Sequence, residues 1–297
     1  MTESDTQTVD VTTKTLDIPG ARLAYDIRAA EGESAEPTLL MIGQPMDARG
    51  FNSLAKHFRD RRVVRYDPRG VTRSELRDDS EKPTVEERAD DLHRLIAELG
   101  SEPVDVFGSS GGALDGLALV AKHPEQVRTL VAHEPPAAGM LPDREAALAA
   151  AASVQETYER DGFGPAMAKF IALTSLKGPI PADFAEQPAP DPAAFGMPTE
   201  DDGSRDDPLL GNMVSGTHYE PEIDALRAAP TRIVVAAGIE SEGEMTHRAA
   251  LAVAERLRTE AAIFPSHHGG FLGGEFGQHG DPDAFAATLR RVLSEDG

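Results

Sequence analysis

Val104-Asp105-Val106-Phe107-Gly108-Ser109-Ser110-Gly111-Gly112-Ala113-Leu114-Asp115-Gly116 is the stretch that decides the fold. The run Val104–Phe107 reads as a buried strand. It breaks at Gly108–Gly112, and from there Leu114, Leu117, Ala118 and Ala121 recur at helical spacing. The reading is strand, sharp turn, helix, with a serine at the apex. Gly108 and Gly112 stand two before and two after Ser110, a Gly-x-Ser-x-Gly pattern. In that pattern a tight, strained turn lifts the serine hydroxyl away from the backbone, and only small residues fit beside it. The N–H of Gly111 then points where an oxyanion would form. With Ser109 central instead, Phe107 would occupy a position that needs a small residue. Ser110 is therefore the candidate nucleophile. A bare Gly-Ser-Ser-Gly-Gly would also suit a flexible loop, but the flanking strand and helix and the downstream partners make this one specific.

The chain has 297 residues, 40% of them hydrophobic, enough for one large α/β domain or two small ones. Cysteine is absent, which excludes a disulfide framework and thiol chemistry. Met1–Asp10 is polar and acidic with no apolar h-region, so no signal peptide is expected. No apolar run approaches membrane-spanning length, and a soluble cytoplasmic protein is the expectation. Fifty-one acidic against 29 basic residues give a formal charge of −22. Such a field repels nucleic acid and anionic membrane, so the expected partner is a small-molecule substrate.

Outward from the serine, residues 1–12 read as a disordered tail. Thr13–Ile18 and Leu23–Arg28 alternate around Pro19-Gly20, a hairpin signal. Thr38–Ile42 is a continuous apolar run, expected as a strand buried on both faces and ended by Gly43-Gln44-Pro45. Phe51–Phe58 reads as a short helix, and Val63–Tyr66 as the next strand, ended by Asp67-Pro68-Arg69-Gly70. Thr84 is placed to cap a helix running through Leu99. Val127–Ala132 is a further strand, stopped by Glu134-Pro135-Pro136. Strands alternating with helices predict an α/β fold: a mostly parallel sheet with helices on both faces. The pattern lapses over 136–230, where Asp143–Arg160, Gly164–Leu176 and Leu209–His218 read as helices around a proline- and aspartate-rich stretch. We expect an inserted helical cap there, with 13–135 and 231–297 forming the core. Arg232–Ala236 resumes the sheet, Thr246–Leu257 is helical, and Ala261–Phe264 is the last strand. Pro265–Phe271 follows as a loop, and a final helix, Pro282–Leu293, starts after Asp281.

Four features give this chain a resemblance to the α/β-hydrolase family over nearly its whole length. They are the turn around Ser110, the Gly43-Gln44-Pro45 turn, Asp67-Pro68-Arg69-Gly70 followed by Ser74, and the histidine loop near the C-terminus. It is most similar to small, cap-bearing hydrolases of the esterase and haloperoxidase-like groups. The resemblance implies an eight-stranded sheet whose first hairpin is antiparallel, and a nucleophile–acid–histidine triad. Many relatives carry His-Gly where this chain has Ile42-Gly43, and a second glycine where Thr72 stands. The first change removes a polar group near the oxyanion turn but not a backbone N–H, assigned here to Gln44 beside that of Gly111.

A serine hydroxyl needs a base to take its proton. The family pattern places a histidine before a small residue after the last strand, which favours His268 in His268-Gly269-Gly270-Phe271 and leaves His267 as the alternative. No third ligand is spaced nearby, so no metal site is expected. The family's usual acid position follows the strand ending at Gly238, but Ile239-Glu240-Ser241-Glu242 holds no aspartate. Some relatives, notably haloalkane dehalogenases, carry a glutamate after the preceding strand, where this chain has Glu134. Glu134 is preferred, with Glu240 as the alternative. Asp67 reads as the partner of Arg69 in an ion pair. The expected function is a serine hydrolase that cleaves a small or medium carboxylic ester or lactone through an acyl-enzyme, without a cofactor. Met140, Leu141, Met167, Phe170 and Met213 would line an apolar pocket. The rival readings are a non-hydrolytic catalyst on the same scaffold (lyase, cyclase or perhydrolase) and a catalytically silent binding protein.

Overall fold

A computed structural model describes residues 11–77, 82–100 and 102–295. Most of the expected tail, residues 1–10, lies outside the described residues; Val11 and Thr12 already belong to the first strand. That strand, β1 (Val11–Ile18), pairs antiparallel with β2 (Ala21–Arg28) over its full length, from Val11 opposite Arg28 to Ile18 opposite Ala21. Gly20 turns the corner with φ 74°. The sheet continues with β3 (Leu39–Gln44) and β4 (Val63–Tyr66), joined through the short helix α1 (Asn52–Ala55). A two-residue strand not foreseen in the sequence, β5 (Glu75–Leu76), pairs with the start of β2. Helix α2 (Val85–Leu99) leads to β6 (Val104–Ser110), and α3 (Gly111–Lys122) to β7 (Val127–His133).

Thr84 and Glu87 start α2 with reciprocal side-chain-to-backbone bonds, a capping box. After β7 the chain leaves the sheet through α4 (Arg144–Asp161), α5 (Phe163–Thr174), α6 (Met213–Thr217) and α7 (Ile223–Ala228). It returns with β8 (Arg232–Gly238), α8 (Met245–Leu257), β9 (Ala262–Phe264) and α9 (Pro282–Ser294), whose first turn Asp281 caps by accepting from Ala284 N–H.

The main path of the sheet runs β1-β2-β4-β3-β6-β7-β8-β9, with β5 beside β2. β2 meets β4 antiparallel; every pairing from β4 through β9 is parallel. Alternate residues of β3 show why its sequence is apolar throughout. Leu40 and Ile42 enter one core with α2, α3 and α8, while Leu39 and Met41 enter another with Phe51, Leu54 and the Phe285–Leu293 face of α9.

A third apolar cluster sits in the excursion between β7 and β8. It joins Ala150, Val154 and Tyr158 of α4 to Leu173, Leu210 and Met213, and it extends to Met245 and Ala249 of α8. The end of the expected insertion packs elsewhere. Leu226 of α7 is buried in the sheet's own core together with Met140. The Asp67–Arg69 pair expected from sequence does not form. Asp67 takes Arg73 as its partner (Nε–Oδ2 2.7 Å), and Arg69 reaches across to Asp91 on α2 (2.6 Å). Arg69 bonds Asp91 through both Nε and Nη2, so proximity in sequence misleads there.

Close contact between α3 and β3 requires Gly112, because a Cβ there would stand 2.4 Å from the Ile42 carbonyl oxygen. Gly112→Ala is expected to cost about 1–3 kcal/mol of stability, the usual range for overpacking. Chemical denaturation measures it; an unchanged midpoint would show that this contact is not tight.

Candidate active site

At the end of β6 the chain must reverse from an extended strand into α3 within one residue. Ser110 is that residue and takes φ 56°, ψ −126°, a left-handed conformation that an L side chain rarely adopts. Crowding enforces it: a Cβ on Gly108 would lie 2.6 Å from the Gly112 carbonyl oxygen, and one on Gly111 2.7 Å from that of Gln44. The two serines face different surroundings. Ser109 is buried and hydrogen-bonded to His133 Nδ1 at 3.2 Å, whereas Ser110 opens onto a cavity of ≈ 370 Å³. Gln44, at the end of β3 and opposite Ser110 in register, lines the same cavity, as do Gly111 and His268.

His268 stands on the loop after β9. Its Nδ1 lies 2.5 Å from Glu134 Oε2. The carboxylate therefore selects the tautomer with the proton on Nδ1 and leaves Nε2 as the lone-pair side of the ring. Among the described residues Ser110 and His268 are not hydrogen-bonded to each other; both line the same cavity. Bonds of this kind are often long before substrate arrives and tighten on binding.

Glu134 itself is fully buried. It follows β7 with φ 47°, held by its own N–H to the Ala236 carbonyl at 2.9 Å and by Pro135 and Pro136 behind it. An ionised carboxylate offers about four acceptor sites, and four donors fill them. Gly238 N–H (2.8 Å) and the Ser241 hydroxyl donate to Oε1; Thr246 Oγ1 (3.1 Å) and His268 donate to Oε2. Burial pushes the carboxyl pKa up, but the bond to His268, its charge and the Ser241 hydroxyl pull harder the other way. The net position is far below the ordinary Glu value. Under this pair lies His133, boxed by Phe107, Phe264, Phe271 and Phe285 and with its ring 6.0 Å from that of His268. Burial drives its pKa down to about 4, so it stays neutral near pH 7.

The alternatives are placed apart from this arrangement. Glu240 is exposed, and Ser266 Oγ approaches it at 3.5 Å. His267 turns outward, with Nε2 3.0 Å from the His279 carbonyl and Nδ1 accepting from Gly269 N–H. Of the five expected pocket residues, Phe170 and Met213 line the cavity. Met140, Leu141 and Met167 do not: Met140 packs into the sheet's core, Leu141 is buried in the cluster under α4, and Met167 packs against that cluster. Apolarity marks them for burial, which helix packing satisfies as well as a pocket does. Sequence reasoning missed Ser241, Thr246 and Arg88. Ser241 sits in the very loop where an acid was sought, and its hydroxyl serves an acid delivered from β7. Arg88 lines the cavity although α2 reads as an ordinary amphipathic helix.

Comparison with known proteins bears on this geometry. A family model described as alpha/beta hydrolase fold matches residues 40–189. An uncharacterized hydrolase, YraK, of Bacillus subtilis (strain 168) is 32% identical over 270 residues, covering 86% of this chain and 89% of that protein. Among solved structures, the enol-lactonase from Burkholderia xenovorans LB400 superposes with a TM-score of 0.64 at 18% identity, over 95% of this chain and 100% of the other. A thermophilic esterase from Thermogutta terrifontis does so with a TM-score of 0.64 at 20% identity, over 96% and 98%. At those identities the two structures speak for the fold alone.

The Glu134 carboxyl gives a pH-dependent stability with a definite sign. Its folded pKa lies below the ordinary value of 4.5, so its contribution is fully present above that pH and fades as the pH falls below it. Glu134→Gln is therefore expected to lower the melting temperature clearly at pH 7 and by a smaller margin at pH 3. Thermal unfolding at the two pH values checks this; an equal gap at both would contradict it.

Proposed function

This chain belongs to the α/β-hydrolase family and is a hydrolase, and from that premise we propose that it cleaves a small or medium carboxylic ester or lactone with Ser110 as nucleophile. The observation that carries the reading is the 2.5 Å contact of His268 Nδ1 with buried Glu134, in a cavity whose wall also holds a serine at positive φ. Such a pair presents Nε2 of the imidazole as a base toward the serine hydroxyl. His268 takes the proton as Ser110 Oγ attacks the carbonyl carbon. The N–H groups of Gln44 and Gly111 receive the developing oxyanion, a donor of that kind being worth about 3 kcal/mol. Collapse of the intermediate expels the alcohol, to which His268 returns the proton. Water, deprotonated by the same imidazole, then releases the acid from Ser110. Glu134 never needs to accept the proton: its depressed pKa keeps it a carboxylate that orients the ring and stabilises the imidazolium. The helices between β7 and β8 act as a cap, contributing Phe170 and Met213 to an apolar wall.

Support for an ester or lactone comes from the cavity that holds the serine and the histidine. The cavity is sized for a small acyl group and joins apolar side chains to a few polar ones. A fluorophosphonate should label Ser110, and short p-nitrophenyl esters should turn over. Ser110→Ala should abolish labelling and lower kcat at least about 1000-fold. Glu134→Gln should lower kcat about 100- to 10,000-fold, while Glu240→Gln stays within about twofold. Labelling without turnover of any ester would point to non-hydrolytic chemistry, and absence of labelling at Ser110 would remove the serine mechanism altogether.

A further inference from the structure

The serine, histidine and glutamate do not account for the whole lining of the cavity. There Arg88 of α2 is 1% exposed and still part of the lining. Its Nε lies 3.0 Å from both oxygens of Asp115 on α3, and Nη1 donates to the Pro83 carbonyl at 2.8 Å. Nη2 takes no part in these bonds. Burial pushes the Asp115 carboxyl up, to about 6, against the pull of Arg88. As a device for holding α2 to α3 the pair is a poor choice, since two well-packed apolar side chains are often as stable or more so. As a way to fix a guanidinium rigidly in a cavity wall, with one amino group spare, it is a good one.

We propose that Arg88 Nη2 is a specificity-determining donor that recognises a neutral carbonyl oxygen on the acyl part of the substrate. The inference rests on the serine-hydrolase reading above and adds the class of acyl group to it. Charge decides between a neutral acceptor and a carboxylate. Arg88 and Asp115 form a neutral pair, so a substrate carboxylate would set a second anion on one cation, inside a protein of formal charge −22. A ketone, amide or second ester carbonyl accepts the same charge-assisted hydrogen bond without that penalty. Position fits the acyl side. Asp115 stands five residues beyond Ser110 on the helix that Ser110 begins, roughly 7 Å along its axis. An acyl chain of about four to six carbons spans that length. Glu244 also lines the cavity, and the charges of Glu134 and His268 both act on its carboxyl. The leaving group would face that carboxylate and the acyl carbonyl would face Arg88.

The test uses matched p-nitrophenyl esters that differ by one CH2 replaced by C=O: pentanoate against 4-oxopentanoate, and hexanoate against 5-oxohexanoate, with the hemisuccinate as the anionic arm. In the wild-type protein at least one oxo ester should exceed its partner in kcat/KM by about tenfold, as for a hydrogen bond to a charged group, and the hemisuccinate should gain nothing. The paired substitution Arg88→Leu with Asp115→Ala removes donor and counter-charge together, so that no buried charge is left alone. It should bring the oxo-to-plain ratio to near one. A ratio near one in wild type, a ratio that survives the double substitution, or a preference for the hemisuccinate would each overturn the proposal. If no ester turns over, calorimetric titration of the wild-type protein with ethyl 4-oxopentanoate, ethyl 5-oxohexanoate and their plain counterparts separates the two ideas. Tighter binding of an oxo ester keeps the donor while the hydrolase chemistry fails; equal binding sinks the donor as well.

Discussion

The site depends on a carboxylate kept ionised inside the protein. Removing an isolated carboxylate from water is costly by many kcal/mol unless its lone pairs are met. Glu134 meets that demand with four donors from three separate places in the chain: Gly238 at the end of β8 with Ser241 just beyond it, Thr246 at the start of α8, and His268 after β9. Because those segments lie at the C-terminal ends of adjacent parallel strands, the sheet order β7-β8-β9 is what brings them together. Fold and site are thus coupled through one side chain. Loosening any of the three segments would leave a buried charge short of a partner.

The nucleophile side is governed by a different constraint, the lack of space between α3 and β3. Gly108, Gly111 and Gly112 let the helix start directly against the strand end, and the price of that proximity is the left-handed backbone at Ser110. The strain is local and the surroundings over-determine it. One consequence is the sorting of two adjacent serines. Ser109, still on the strand, is buried with His133 below the site, and Ser110, at the turn, faces the cavity.

Much of this could be read from the residues. The strand–turn–helix around Ser110, the alternation of β3 between two cores, the capping box at Thr84 and the cap at Asp281 all follow from local patterns of apolarity and short polar side chains. The loop after Gly238, with no aspartate, pointed back to a glutamate after β7, and the structure sets Glu134 against His268. What escaped the sequence was long-range. Ser241 and Thr246 carry no motif, because any hydroxyl at the right place in space would serve. The partners of Asp67 and Arg69 differ from expectation: Asp67 takes Arg73, six residues on, and Arg69 takes Asp91 on α2. Met140, Leu141 and Met167 failed as cavity residues because apolar character records burial but not which surface does the burying. Arg88 was overlooked for the converse reason: a charge on an amphipathic helix is ordinarily solvated, and only the packing of α2 on α3 turns it inward.

The central claim is that Glu134, not Glu240, holds the His268 imidazole with a proton on Nδ1. Proton NMR of the imidazole N–H tests it most directly. The account predicts one strongly downfield Nδ1–H resonance from His268, lost in Glu134→Gln and retained in Glu240→Gln. A resonance that persists without the Glu134 carboxylate, or that vanishes with Glu240, would contradict it.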